Sequence, residues 1–227
     1  MASQCSSLDS TIFAELQRAA SSSHSCDSDQ NLLFDILILA HFIGPHVSEY
    51  AQTTQDEVDY HIYPSRTCVI KAFTANDFIF YDKNGHVLTK IDDSSLEFAA
   101  SVQITWRIQK NHQNGQKIKL SADMNNSSIC PIRGALRMVM KARCLAQSDD
   151  MPVACYKTKK ALLLFITGSR IATLFCKAVK KVRLSTSADD LKKYFRLLPL
   201  CLGLCLLLDE GGMSPSFIQK CLHWLGD

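Results

Sequence analysis

The stretch from Gln103 to Ser121, QITWRIQKNHQNGQKIKLS, decides how the chain is read. Its flanks are rich in β-branched and aromatic residues, which suit strands. Between them lies Asn114-Gly115, a pair favoured where a hairpin reverses, because the turn needs residues that tolerate positive φ. The segment predicts an antiparallel hairpin with Lys110, Lys117 and Lys119 around its turn. Just upstream, TCVIKAF at 67–73 and DFIFYD at 77–82 predict further strands, with turn signals at Asn76-Asp77 and Lys83-Asn84-Gly85.

Outward from the hairpin the period becomes helical. Residues 31–43, NLLFDILILAHFI, are apolar nearly all round, which predicts a helix buried in the core. Before it, the Ser/Asp-rich stretch 21–29 reads as a loop, with Asp27 or Asp29 as the cap. Downstream, Pro131 suits a first helical turn. Ile132, Ala135, Leu136, Val139 and Ala142 then form one apolar stripe, and Arg133, Arg137 and Lys141 a second, basic face. Residues 162–166 predict a short apolar strand, and Thr167-Gly168-Ser169 the start of a helix running to about Val182. Ser185 or Ser187 opens a helix through Phe195, and Ser214-Pro215 a last one carrying Ile218, Cys221, Leu222 and Leu225. The pattern is α+β: a mainly helical domain with a small antiparallel sheet in its first half. Residues 1–30 read as an N-terminal helix and Ser-rich linker, and 31–227 as one domain.

Charge is segregated along the chain. Residues 1–100 carry 5 Lys+Arg and 14 Asp+Glu, a balance of −9; residues 101–183 carry 16 and 3, a balance of +13; residues 184–227 carry 4 and 5, a balance of −1. Clustered cations collect polyanions, so the middle segment predicts a nucleic-acid-facing surface. The same pattern also fits a basic face neutralised by the acidic N-terminal half.

Ten cysteines are present, with no CxxC pair and no Cys/His cluster at zinc spacing. Most lie in apolar runs, where a free thiol behaves as a small hydrophobe. With no secretory signal pattern at the start, the expectation is reduced thiols in an intracellular protein, nuclear if the source is eukaryotic. The apolar run Leu197–Leu208 is too short to span a bilayer and contains Pro199. No phosphate loop or nucleophile elbow occurs, and Thr167–Arg170 lacks the lysine and spacing of a Walker loop. No metal and no cofactor are expected.

Several segments, in their order, carry a resemblance: GPHVSEY at Gly44–Tyr50, RIQKNHQNGQKI in the hairpin, CPIRGALRMVMKA, and LLPLCLGLCLLLDEGGMSPSFIQKCLHWLGD, two helices joined through Gly211-Gly212. Together they resemble the catalytic domain of the tyrosine recombinase (phage-integrase-like) family, in its mobile-element form, over roughly residues 31–227. The resemblance implies a fold like that of DNA breaking–rejoining enzymes, double-stranded DNA as partner in recombination and integration, and self-association, with no membrane involvement. Carried over residue by residue, it places Glu49 at the acidic position after the first arginine, Lys110 (Lys117 second) at the hairpin lysine, and Trp224 at the late His/Trp position. It places His46 where the first arginine belongs, Leu198 at the histidine and Cys201 at the second arginine. The nucleophilic tyrosine is expected beyond Asp227, where the sequence ends.

Strand cleavage needs a nucleophile and cations on the non-bridging oxygens of a pentacoordinate phosphate. Two arginines grip those oxygens bidentately, which neither His nor Lys reproduces. The sequence therefore predicts a DNA-binding protein without phosphotransfer activity. Arg107, Lys110, Lys117, Lys119, Arg133, Arg137 and Lys141 are its candidate DNA contacts. The alternatives are a fragment of an active recombinase from a truncated gene, and a protein-interaction domain with a basic face.

Overall fold

In the computed structural model of the chain, the residues described are 14–15, 17–18, 29–44, 51, 72–107, 114–122, 129–158, 160–182, 214 and 216. The fold is organised around helix α1, Asp29–Ile43, in which every residue from 32 to 40 is buried. A helix that is apolar on all sides persists in water only when covered on all sides. Helix α3 (Pro131–Cys144), strand β4 (Cys155–Lys157) and helix α4 (Gly168–Val182) pack against it. Asp29 is the first helical residue rather than a preceding cap; its carboxylate sits where the helix dipole favours negative charge.

Helix α3, Pro131–Cys144, begins with proline at its first turn after an extended Cys130. The predicted stripe of Ile132, Ala135, Leu136, Val139 and Ala142 is buried throughout. Gly134 marks the closest approach to α1. A Cβ there would lie 3.3 Å from the Asp35 carbonyl oxygen and 3.5 Å from Ile38 Cγ2. Leaving that atom out lets the two backbones meet.

The first sheet has order β1-β2-β3, all antiparallel: β1 Phe78–Tyr81, β2 Ser101–Thr105 and β3 Lys117–Ser121. A single-turn helix, α2 (Ser95–Phe98), lies between β1 and β2. The register aligns Phe78, Ile104 and Ile118 in one row and Phe80, Val102 and Leu120 in the next, and these side chains form the inner face. Residues alternate faces along a strand, so Ile79, Gln103 and Lys119 share the outer face with Thr105 and Lys117. The predicted hairpin is present. Its pairing continues past the strands: Trp106 N–H donates to Gln116 O at 2.8 Å, and Gly115 N–H to Trp106 O at 2.7 Å. Gly115 adopts φ +82°, a conformation open to glycine but costly for other residues. Trp106, fully buried, packs on Phe73 with ring centroids 5.2 Å apart.

A second small sheet pairs β4, Cys155–Lys157, with β5, Leu163–Phe165, and leads into α4, Gly168–Val182. The sequence predicted β5 and α4 but not β4, so antiparallel pairing is not confined to the first half of the chain. The strand expected over 67–73 is not formed where it is described. Ala72 and Phe73 lie outside any strand, and Thr74 makes a single bridge to Pro152 before a 3-10 turn at Ala75–Asp77. Val153 N–H donates to Phe73 O at 2.9 Å, which ties the approach to β1 to the approach to β4. No helix among the described residues is long and apolar enough to cross a membrane.

Candidate nucleic-acid interface

The basic segment divides by residue type. Among the described residues its arginines are largely engaged with carboxylates. Arg107, just past β2, donates from Nη2 to Thr74 Oγ1 at 2.6 Å and from Nε to Asp77 Oδ2 at 3.2 Å. Asp77 in turn accepts from the Thr74 backbone N–H at 2.7 Å and from Thr74 Oγ1 at 3.0 Å. Thr74 and Asp77 are both buried, so this is a structural cluster with one guanidinium as its lid. Arg137 reaches from α3 to α1, where its Nε donates to Asp35 Oδ1 at 2.7 Å. Arg170, in the first turn of α4, holds Asp29 at the start of α1, with Nε to Oδ2 at 2.8 Å. Arg143 forms a two-pronged pair with Asp149, at 3.0 and 2.7 Å.

Asp35 is the least expected of these groups. It lies in the middle of the most apolar helix with only 5% of its surface exposed. Burial pushes its pKa up to about 6, against the opposing pull of Arg137 and Lys141. Desolvation thus outweighs the ion pair, as is usual when two charges leave water together. Lys141, one turn beyond Arg137, adds its field to both Asp35 and Cys155. Burial raises the Cys155 thiol to about 11, which removes it as a nucleophile near neutral pH. Burial also lowers the pKa of His41.

The lysines behave differently. Lys117 and Lys119 are exposed on the outer face of the β2–β3 hairpin. No described carboxylate lies within ion-pair distance of either. Lys119 Nζ sits 4.4 Å from the centroid of the Tyr81 ring. A cation over an aromatic face is held in place without being neutralised, so its charge stays available to an anion. Thr105 stands opposite Lys117, and Gln103 opposite Lys119. The outer hairpin face therefore offers two cations with a hydroxyl and an amide beside them, a composition suited to phosphodiester oxygens. Arg133 is exposed on α3, away from the buried stripe.

Of the residues selected from sequence, the hairpin brings Lys117 and Lys119 together, with Arg107 at its end committed to Asp77. Helix α3 carries Arg133, Arg137 and Lys141, of which Arg137 is committed to Asp35. His46, Glu49, Lys110, Leu198, Cys201 and Trp224 lie outside the described residues. The sequence reading did not identify Asp29, Asp35 and Asp77 as partners. One signal was available: an aspartate inside an otherwise apolar helix demands a buried partner. No described group of three or more His, Cys, Asp or Glu converges as metal ligands would. No protein-family model matches the chain, and no curated protein matches its sequence.

Proposed function

We propose that this chain is a DNA-binding protein of the tyrosine-recombinase kind that holds duplex DNA by its phosphates and does not cut it. One observation supports the binding half above the others. Lys117 and Lys119 form an exposed pair on one hairpin face without a described carboxylate partner, whereas Arg107, Arg137, Arg143 and Arg170 are paired with aspartates. The lack of cleavage rests on the residues themselves: His46, Leu198 and Cys201 stand where the resembling family needs two arginines and a histidine. A histidine offers point donors, and Leu and Cys offer no cation at all, so a pentacoordinate phosphate would lack its bidentate clamp. Glu49, Lys110 and Trp224, the retained positions, cannot supply it.

The experiment is a titration of random-sequence duplex with the full chain at several salt concentrations. Affinity is expected to fall steeply, with log K against log salt losing about 0.9 for each phosphate contacted. A flat dependence would overturn the DNA reading and favour the protein-interaction domain. The same preparation, incubated with supercoiled plasmid, is expected to yield neither nicks nor a covalent protein–DNA adduct, and an adduct would overturn the claim of inactivity.

A further inference from the structure

The β4–β5 hairpin carries a second group of cations, which lie within the basic segment 101–183 but are not among the DNA contacts named from the sequence. Its base is anchored: Cys155, Phe165 and Ile166 are buried, and Ile166 N–H donates to Ala154 O at 2.9 Å. Hydrogen bonds join its two arms beyond the strands. Thr158 N–H donates to Leu162 O at 2.8 Å, Ala161 N–H to Thr158 O at 2.9 Å, and Leu162 N–H to Thr158 Oγ1 at 3.2 Å. Ala161 takes φ +60°, the left-handed position that such loops usually give to glycine or asparagine.

Lys157 is exposed at the end of β4 and Lys160 in the connection that follows, and Lys159 lies between them in sequence. The decapeptide from Cys155 to Leu164, CYKTKKALLL, contains three lysines and no acidic residue. No described carboxylate pairs with Lys157 or Lys160. Like charges on so short a turn repel one another, and an external polyanion offsets that repulsion.

We infer that the tip of the β4–β5 hairpin is a second contact for duplex DNA phosphates, made by Lys157 and Lys160 and separate from the β2–β3 face. This rests on the reading of the chain as a DNA binder. The test is the full-length double variant Lys157→Ala/Lys160→Ala, titrated with random-sequence duplex over the same salt series as the unmodified chain. The salt slope is expected to fall by about 1.8, two phosphate contacts at about 0.9 each, and by about 0.9 for Lys160→Gln alone. Leu162→Ser changes the same exposed turn without altering its charge, and its slope is expected to match the unmodified chain. Thermal unfolding is expected to be unchanged in all three variants. An unmodified chain that binds with a steep slope, alongside lysine variants that retain that slope, overturns this inference and leaves the DNA reading standing. An equal loss of slope in Leu162→Ser overturns it too, because turn shape rather than charge would then be responsible. An unmodified chain with no salt-dependent binding overturns both.

Discussion

The seam between α1 and α3 and the outer face of the β2–β3 hairpin both carry cations from the basic segment, and they use them in opposite ways. At the seam, Arg137 is drawn onto a buried aspartate in a helix from the acidic half. On the hairpin, Lys117 and Lys119 face outward, and the Lys119 ammonium lies over the Tyr81 ring. The chemistry of the two side chains accounts for the difference. A guanidinium is planar and weakly hydrated, with several fixed donors, so it tolerates partial burial beside a carboxylate; an ammonium is compact and strongly hydrated and stays in water. Arg107, Arg137 and Arg170 all reach back to carboxylates within residues 1–100: Asp77, Asp35 and Asp29. The charge imbalance between the two halves of the sequence is therefore partly internal glue. The charge available to a ligand is carried by lysines more than by arginines.

The largest effect expected from this contrast is at Arg137. Arg137→Ala leaves Asp35 buried without its closest partner; breaking a fully buried pair from one side costs about 3–5 kcal/mol, and the half-exposed Arg137 side chain places this loss at or below the lower end of that range. Asp35→Asn should cost less, because the Arg137 side chain is 38% exposed and can turn to water. The two variants should also differ in pH dependence. The native pKa of Asp35, about 6, lies above the ordinary value of 3.8, so the folded chain holds that proton more tightly than the unfolded chain does. The corresponding stability is present at low pH and lost as pH rises from about 4 through about 6. Urea unfolding at pH 4.5 and 7.5 should show Arg137→Ala recovering much of its loss at the lower pH, while Asp35→Asn removes this component of the pH dependence. An Arg137→Ala protein as stable as the parent at pH 7.5, with a reduced DNA salt slope, would erase the distinction between the two regions.

Arg107 sharpens the comparison at smaller scale. Asp77 keeps two donors from Thr74 when the guanidinium is removed, so it is not stranded as Asp35 is. Arg107→Ala is expected to cost about 1–3 kcal/mol, the range for losing hydrogen bonds to a charged group. That is large enough to read as a lowered midpoint in thermal unfolding. Its salt slope should move by much less than one phosphate contact. A full loss of about 0.9 with stability intact would place Arg107 with the lysines instead.

The fold was legible wherever a local rule acted alone. The β-rich flanks of Asn114-Gly115 gave the pairing of β2 with β3, the 3.6-residue period gave the buried stripe of α3, and apolarity on nearly all sides gave α1 its burial. Strand β4 was hidden because Tyr156, Lys157 and Thr158 lead straight into two more lysines, which read as a solvated loop. Its strand character comes from pairing Cys155 with Phe165 and from burial against α1. The ion pairs were hidden for a different reason. Arg137 and Asp35 are 102 residues apart, and nothing in either local pattern names the other. Composition could say that the middle segment was basic, but which cations remain free is decided by tertiary contacts.

The smallest effect on stability should accompany the clearest effect on binding. Lys117 makes no described ion pair, and Lys119 gives up only a surface cation–π contact worth about 0.5–1 kcal/mol. Lys117→Ala/Lys119→Ala should therefore unfold within about 1 kcal/mol of the parent, yet lose about 1.8 from the salt slope if both ammonium groups sit on phosphates. Tyr81→Leu separates the two ways in which Lys119 could matter. It removes the ring that holds the ammonium but leaves the charge, so affinity should fall while the slope stays nearly constant. If Tyr81→Leu lowers the slope as far as Lys119→Ala alone does, the ring is required for the contact itself, and the hairpin binds as a preorganised pair rather than as two independent charges. If neither variant changes the slope, the outer hairpin face is a solvated surface, and the phosphate contacts must be sought on the β4–β5 tip.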